Sequence, residues 1–327
     1  MRFQPTDSFA PAAGMGSPHA QTIFASLARP TRAPLVRSER HELSDGDFVD
    51  LDTFDGAPGA PHVVVLHGLE GSSKAGYVAA VLRGAFERGW GGTALNFRSC
   101  SGEPNRLARS YHSGEFGDAL AVTKHVRARV TGPLYAVGFS LGGNVLCRLL
   151  EETGENAPVQ AAAVMSAPYD LDACCYKLDG PGPFQLLYRE RFLRSLKQKA
   201  REKLRRFPKA FDGKAMEAAR TIRAFDDAVT APLHGFRDAT HYYTEASSGP
   251  KLHAIRRPTL LLSSNDDPML VAPVIPPQAA DNPLLSIILT ERGGHVGFVS
   301  GRVHAPRFWG DAQMLAFFDA VGAAQPK

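Results

Sequence analysis

The 327-residue sequence is short of cysteine, of long apolar runs and of compositional bias, and each shortage excludes something. Its four cysteines (Cys100, Cys147, Cys174, Cys175) form no C-x-x-C pair and no even ladder, so a disulfide framework is not expected. A reducing, cytoplasmic setting fits that usage. No stretch approaches the roughly 20 apolar residues of a membrane-spanning helix, and residues 1–20 lack the apolar core of a signal peptide. There is no H-E-x-x-H motif and no Cys/His cluster, so neither a metal nor a cofactor is expected. Repeats and low-complexity segments are missing too.

What is present is an alternation. A 44% hydrophobic content suffices for a large core. "FVDLDTF" alternates like a half-buried antiparallel strand, and "HVVVLHG" runs continuously apolar like a strand buried on both faces. Strand-like "GTALNF", "LYAVG", "VQAAAVMSA", "PTLLLSS" and "LLSIILT" follow, with helical segments between most of them. Such alternation predicts an α/β fold with a doubly wound, mostly parallel sheet. Residues 172–248 break the rhythm, carrying no strand signal, and read as a helical cap inserted into the core. The expected division is an N-terminal extension over 1–34, core over 35–171, cap over 172–248, and core again over 249–327.

The chemistry centres on "LYAVGFSLGGNVLCRLL", where G-F-S-L-G sits between a strand-like and a helical run. A nucleophile elbow requires that context: the turn lifts Ser140 above the sheet and sets it at a helix N-terminus, which favours developing negative charge. A serine nucleophile needs a base and an orienting carboxylate, in the chain order Ser, acid, His. Asp266 and Asp267 follow the strand "TLLLSS", and His295 lies in the glycine-rich "ERGGHVGF" after the next strand. Asp267, before the short P-M-L turn, is preferred as the acid, leaving Asp266 to cap its loop or remain solvated. The oxyanion hole is expected from the Leu141 amide and from the Leu69 amide in "LHGLEGSS".

These stretches, with "PHAQTIFASLARP", "LNFRSCSGEPNR", "SYHSGE", "FDDAVTAPLHGF" and "NDDPM", resemble the YheT-like hydrolases of the α/β-hydrolase fold from about residue 16 to the last helix. The resemblance implies an esterase or acyl hydrolase with Ser140 as nucleophile, His295 as base and an aspartate of "DDP" as its partner.

Further expectations concern the rim and the cap. His67, Gly68 and Arg98 are candidates for substrate contact. The role expected of the first two is to shape the turn that presents the Leu69 amide, and Arg98 either grips an anionic group or forms an ion pair that fixes its loop. Cys100 lacks the surroundings of a cysteine nucleophile, and Asp226, Asp227 and His234 are expected to tie cap to core. Residues 185–209 hold ten Lys/Arg against two Asp/Glu, although the whole chain carries only +4. Phe184, Tyr188, Phe192, Leu196, Ala200 and Leu204 recur there every fourth residue, making one amphipathic helix. It either covers the site or touches a membrane surface peripherally. No nucleic-acid motif and no obligate protein partner is implied. The expected substrate is a short- to medium-chain or lipid-like ester. Acyl transfer by the same triad and ligand binding without catalysis are the alternatives.

Overall fold

The apolar runs become the middle of an eight-stranded sheet. In this computed structural model, which describes residues 2–34 and 36–324, the strands are β1 (Arg37–Glu42), β2 (Phe48–Phe54), β3 (His62–Leu66), β4 (Gly91–Asn96), β5 (Leu134–Phe139), β6 (Ala161–Met165), β7 (Thr259–Ser264) and β8 (Leu285–Thr290). Their spatial order is β1-β2-β4-β3-β5-β6-β7-β8. β2 runs antiparallel to both of its neighbours, β1 and β4, and the pairs from β4 to β8 are all parallel. Every residue of β3 to β7 is buried, which is why these strands read as unbroken apolar runs while β1 does not. Helices Gly76–Glu87 and Trp309–Ala323 cover one face, and Gly117–Arg127 and Leu141–Thr153 cover the other.

Strand order reverses between β3 and β5, so the loops leaving their carboxyl ends face one crevice. Ligands bind at such a switch point in open α/β sheets. Between β6 and β7 the chain lays down six α-helices, Leu171–Asp179, Pro183–Arg206, Gly213–Ala218, Ile222–Phe225, Ala231–His234 and Ala239–Ala246. They share an apolar core of their own, with Leu193, Phe211, Met216, Phe225 and Tyr242 at its centre. A hairpin of β9 (Val299–Arg302) and β10 (Ala305–Phe308) lies outside the sheet. The sequence gives no sign of it, since Val303-His304 is not a turn dipeptide and Pro306 stands inside β10.

The basic segment is largely spent inside the molecule. Six of its ten cations make internal bonds. Lys197 donates to the Glu217 and Ala219 carbonyls, and Arg189 to those of Asp179 and Gly180. Lys203 donates to the Leu107 and Arg109 carbonyls and Arg206 to that of Asn105, while Lys199 meets Glu70 and Arg201 meets Glu217. Much of this charge therefore fastens the long helix to the core and to the rest of the cap. Its apolar stripe splits: Phe192 and Leu196 turn to the crevice, whereas Phe184 is exposed beside Leu186 and Leu187.

Arg98 does not reach the crevice. It is 2% exposed, and its guanidinium meets Asp118 at 2.6 Å, Asp45 at 2.9 Å and Asp47 at 3.1 Å. Asp47 also accepts from the Asn105 side chain and the Arg106 amide, so the cluster pins the loop after β4 to the antiparallel edge. A cation so fully paired has nothing left for a substrate, and the ion-pair role holds in place of the substrate contact. Removing one partner of a buried pair typically destabilises by about 3–5 kcal/mol, because the other charges stay buried. Arg98→Met is expected to lower unfolding free energy by about that much in urea titration.

Candidate active site

The chain leaves β5 through a turn that few residues tolerate. Ser140 has φ 50° and ψ −120°, a strained conformation for a residue with a side chain. The next residue begins the Leu141–Thr153 helix, in which the Gly143 and Asn144 amides donate to the Ser140 carbonyl. A methyl group on Gly142 would come within 2.4 Å of the His67 carbonyl oxygen, and one on Gly138 within 2.5 Å of the Gly142 oxygen. Only glycine lets strand, turn and helix approach this closely.

His295 bridges the serine to a carboxylate. Its Nε2 lies 3.0 Å from the Ser140 Oγ, and its Nδ1 lies 2.8 Å and 3.1 Å from the two Asp267 oxygens. Asp267 is wholly buried and also accepts the Met269 amide at 2.8 Å. An acceptor at Nδ1 fixes the proton there, leaving the Nε2 lone pair for the serine hydroxyl. Asp266 faces elsewhere, accepting the Gly294 amide at 2.9 Å and so closing the base of the histidine loop. The sequence order serine, acid, histidine thus becomes a contiguous hydrogen-bonded chain.

Leu69 and Leu141 lie on the cavity wall beside Ser140 and His295. Neither amide donates to a protein acceptor among the described residues. A methyl group on Gly68 would stand 3.2 Å from the Ser140 Cβ, so the turn after β3 lies directly against this serine. Two unengaged N–H groups flanking a serine suit a developing oxyanion.

His67 and Gly68 shape this turn and do not present groups to the cavity. The His67 ring is buried, its Nε2 accepting the Phe97 amide at 3.2 Å and its Nδ1 donating to the Gly68 carbonyl at 2.8 Å. Burial lowers its pKa to about 4, keeping the ring neutral. Gly68 spends its N–H on the Tyr77 hydroxyl at 3.0 Å. Both are thus placed as turn formers and not as substrate contacts. Cys100 is buried, and burial pushes its thiol up to about 11, far from a thiolate at neutral pH.

The cavity between sheet and cap, counted out into open solvent, spans about 1160 Å³. Pro168, Leu171, Leu178, Phe225, Val229 and Met269 give it an apolar lining. Asp226 and His234 stand on the same wall, and Asp226 is joined to the cap, accepting Thr230 and Tyr243 hydroxyls at 2.5 Å and 2.6 Å. His234 packs on His112 of the core, with ring centroids 4.4 Å apart. Asp227 takes the Ala239 amide at 2.7 Å, a bond within the cap.

Several supports of the site carry no signal of their own in the sequence. Thr22, on the N-terminal helix Pro18–Ala28, accepts the His295 amide at 2.9 Å. Ser166, after β6, accepts the Val296 amide at 3.2 Å. Lys177 of the cap donates to the Asp267 carbonyl at 2.7 Å. Each is a lone polar residue whose partner is distant in the chain. Replacing Asp267 with Asn should slow phosphonylation of Ser140 by a fluorophosphonate about 10⁴-fold, the scale of a triad with its tautomer lost. Asp266→Asn keeps the acceptor for Gly294 and should change that rate less than about tenfold. Stopped-time labelling of the two variants measures both.

Residues 63–307 match the Alpha/beta hydrolase family. YheT of Escherichia coli is 40% identical over 94% of this chain and 92% of its own length. Phospholipase ABHD3 of mouse is 30% identical over 90% of this chain and 74% of its own. Among solved structures, mouse alpha/beta hydrolase domain-containing protein 10 superposes with a TM-score of 0.54 at 16% identity, covering 88% of this chain and 100% of that one. With the family match, the sheet order and a relative of this identity in agreement, the chain belongs to the α/β-hydrolase family, among its YheT-like members.

Proposed function

We propose that the protein is a serine hydrolase that cleaves carboxylic esters with an apolar acyl group. The observation that carries this is His295 held between Ser140 and a buried Asp267 at the floor of an apolar cavity. In the acylation step the Ser140 Oγ attacks the ester carbonyl carbon while His295 Nε2 takes its proton. The carbonyl oxygen becomes an oxyanion held by the Leu69 and Leu141 amides, and Asp267 stabilises the imidazolium. As the carbonyl re-forms, the C–O bond to the alcohol breaks, and Nε2 returns the proton to the leaving alkoxide. Water repeats the sequence in reverse roles, with its proton passing to Nε2 and then to the Ser140 oxygen as the free acid departs.

The names of relatives add support for a lipid-like ester: phospholipase for the mouse protein, and monoacylglycerol lipase for a yeast protein 28% identical over 84% of this chain. An alcohol or thiol entering in place of water would make the same site an acyltransferase. Simple ligand binding is disfavoured, because it needs neither a strained serine nor two unengaged amides beside it.

Kinetics on p-nitrophenyl esters of increasing acyl length test the proposal. Burial of each methylene is worth about 0.8 kcal/mol, so kcat/KM should rise by up to about fourfold per methylene until the cavity is filled. Ser140→Ala should lose about 10⁴-fold or more in kcat. Turnover that survives Ser140→Ala, or a flat dependence on chain length, contradicts the proposal. Alcohol acceptors that divert the acyl group to a new ester would assign the transferase alternative.

A further inference from the structure

The turn that carries the Leu69 amide is held in place by a side chain with no part in the proton relay. Gly71 donates to the Gly68 carbonyl at 3.0 Å, closing a four-residue turn with Leu69 and Glu70 at its centre. Glu70 has φ 55°. With a positive φ only at this third residue, the turn follows the type II pattern, where glycine or asparagine is the usual occupant. A glutamate there is strained, and such strain persists where the surroundings over-determine it.

The surroundings of Glu70 do so from three directions. Its amide donates to the Tyr111 hydroxyl at 2.9 Å, and that hydroxyl donates back to the Glu70 Oε1 at 2.7 Å. Lys199 Nζ reaches the same oxygen at 3.0 Å, and the Ser195 hydroxyl binds Oε2. Tyr111 belongs to the core, stacked on Phe97, whereas Ser195 and Lys199 stand one turn apart on the Pro183–Arg206 helix of the cap. The Glu70 side chain is only 6% exposed, although it borders the cavity. A single carboxylate therefore joins the oxyanion turn, the core and the cap. Glycine would satisfy the turn with less strain and would make none of these side-chain bonds.

We propose that Glu70 is a positioning residue for the oxyanion hole: its carboxylate clamps the turn so that the Leu69 amide faces Ser140, and it makes that placement depend on the seating of the cap helix through Ser195 and Lys199. This rests on Ser140 as nucleophile and Leu69 as oxyanion donor. Glu70 itself touches no reacting atom. Its effect should appear in the transition state and hardly in ground-state binding, because the amide it places bonds the oxyanion more strongly than the substrate carbonyl.

The test compares wild type, Glu70→Gly, Lys199→Met and the double variant in kcat, KM, thermal midpoint and affinity for an acyl trifluoromethyl ketone, which forms an oxyanion on the serine. Glu70→Gly relieves the backbone strain but strips Tyr111, Ser195 and Lys199 of their acceptor, so its thermal midpoint should fall, and kinetics are compared below the midpoint of every variant. Its kcat should fall about tenfold to a hundredfold, the scale of a misplaced or lost donor, with KM within about threefold. Ketone affinity should fall in parallel with kcat. Lys199→Met should show the same signature with a smaller factor, and the double variant should be no slower than Glu70→Gly, since both act through one clamp. Wild-type kcat in Glu70→Gly, a change confined to KM, or fully multiplicative losses in the double variant would overturn the clamp. If Ser140→Ala abolishes turnover while Glu70→Gly leaves it intact, only the clamp fails. Turnover indifferent to Ser140 removes both.

Discussion

The left-handed backbone at Ser140 is the constraint around which the rest of the molecule is arranged. A serine at φ 50° is unfavourable alone, and it persists because its amide bonds the Met165 carbonyl at 2.9 Å while the helix that follows is packed on every side. Val145, Leu146, Leu149 and Leu150 of that helix are fully buried. Asn144, one turn in, is buried as well. It donates to the Ser113 and Ala246 carbonyls, both at 2.8 Å, and accepts the Ser248 hydroxyl at 2.7 Å. One side chain thus anchors the helix that follows Ser140 to the core and to the point where the cap returns. The strain is stored locally and held by burial around it.

The same logic governs the histidine. Nothing in the glycine-rich loop after β8 would fix a ring by itself, and Val296 and Phe298 both adopt positive φ. The loop is fixed from outside: by Thr22 at the His295 amide, by Ser166 at the Val296 amide, by Asp266 at the Gly294 amide, and by Gln21, which accepts the Val299 amide at 2.6 Å. The N-terminal helix is therefore part of the scaffold that holds His295. It also meets the cap, since His19 stacks on Phe184 with ring centroids 3.8 Å apart and bonds the Tyr188 hydroxyl at 3.0 Å. N-terminal helix, histidine loop and cap form a continuous frame about the cavity mouth.

The parts of this arrangement that were legible in the sequence are those whose physics is local. A strand buried on both faces is a continuous apolar run, so β3, β5, β6 and β7 stand out in the chain. A glycine-flanked serine between strand and helix is equally local, and the positions of Asp267 and His295 follow from the order of the loops. The legible features end where partners are far apart. Arg98 is two steps from the serine loops in strand order, yet nothing nearby in the chain shows that Asp45, Asp47 and Asp118 will surround it. Thr22 and Ser166 look like any other hydroxyl residues. The basic run over 185–209 invites a charged partner, but six of its cations meet carbonyls and carboxylates of the same chain. Charge density along a sequence says little about charge left over after folding.

The central claim is a covalent one: that the acyl group of an ester passes through the oxygen of Ser140. Rapid acid quench during turnover of a slowly deacylated p-nitrophenyl ester, followed by intact-mass measurement and peptide mapping, tests it most directly. The account predicts one added acyl group per chain, on the peptide that contains Ser140, appearing with a burst of p-nitrophenol. Turnover without any acylated protein, or an acyl group carried by another residue, would contradict it.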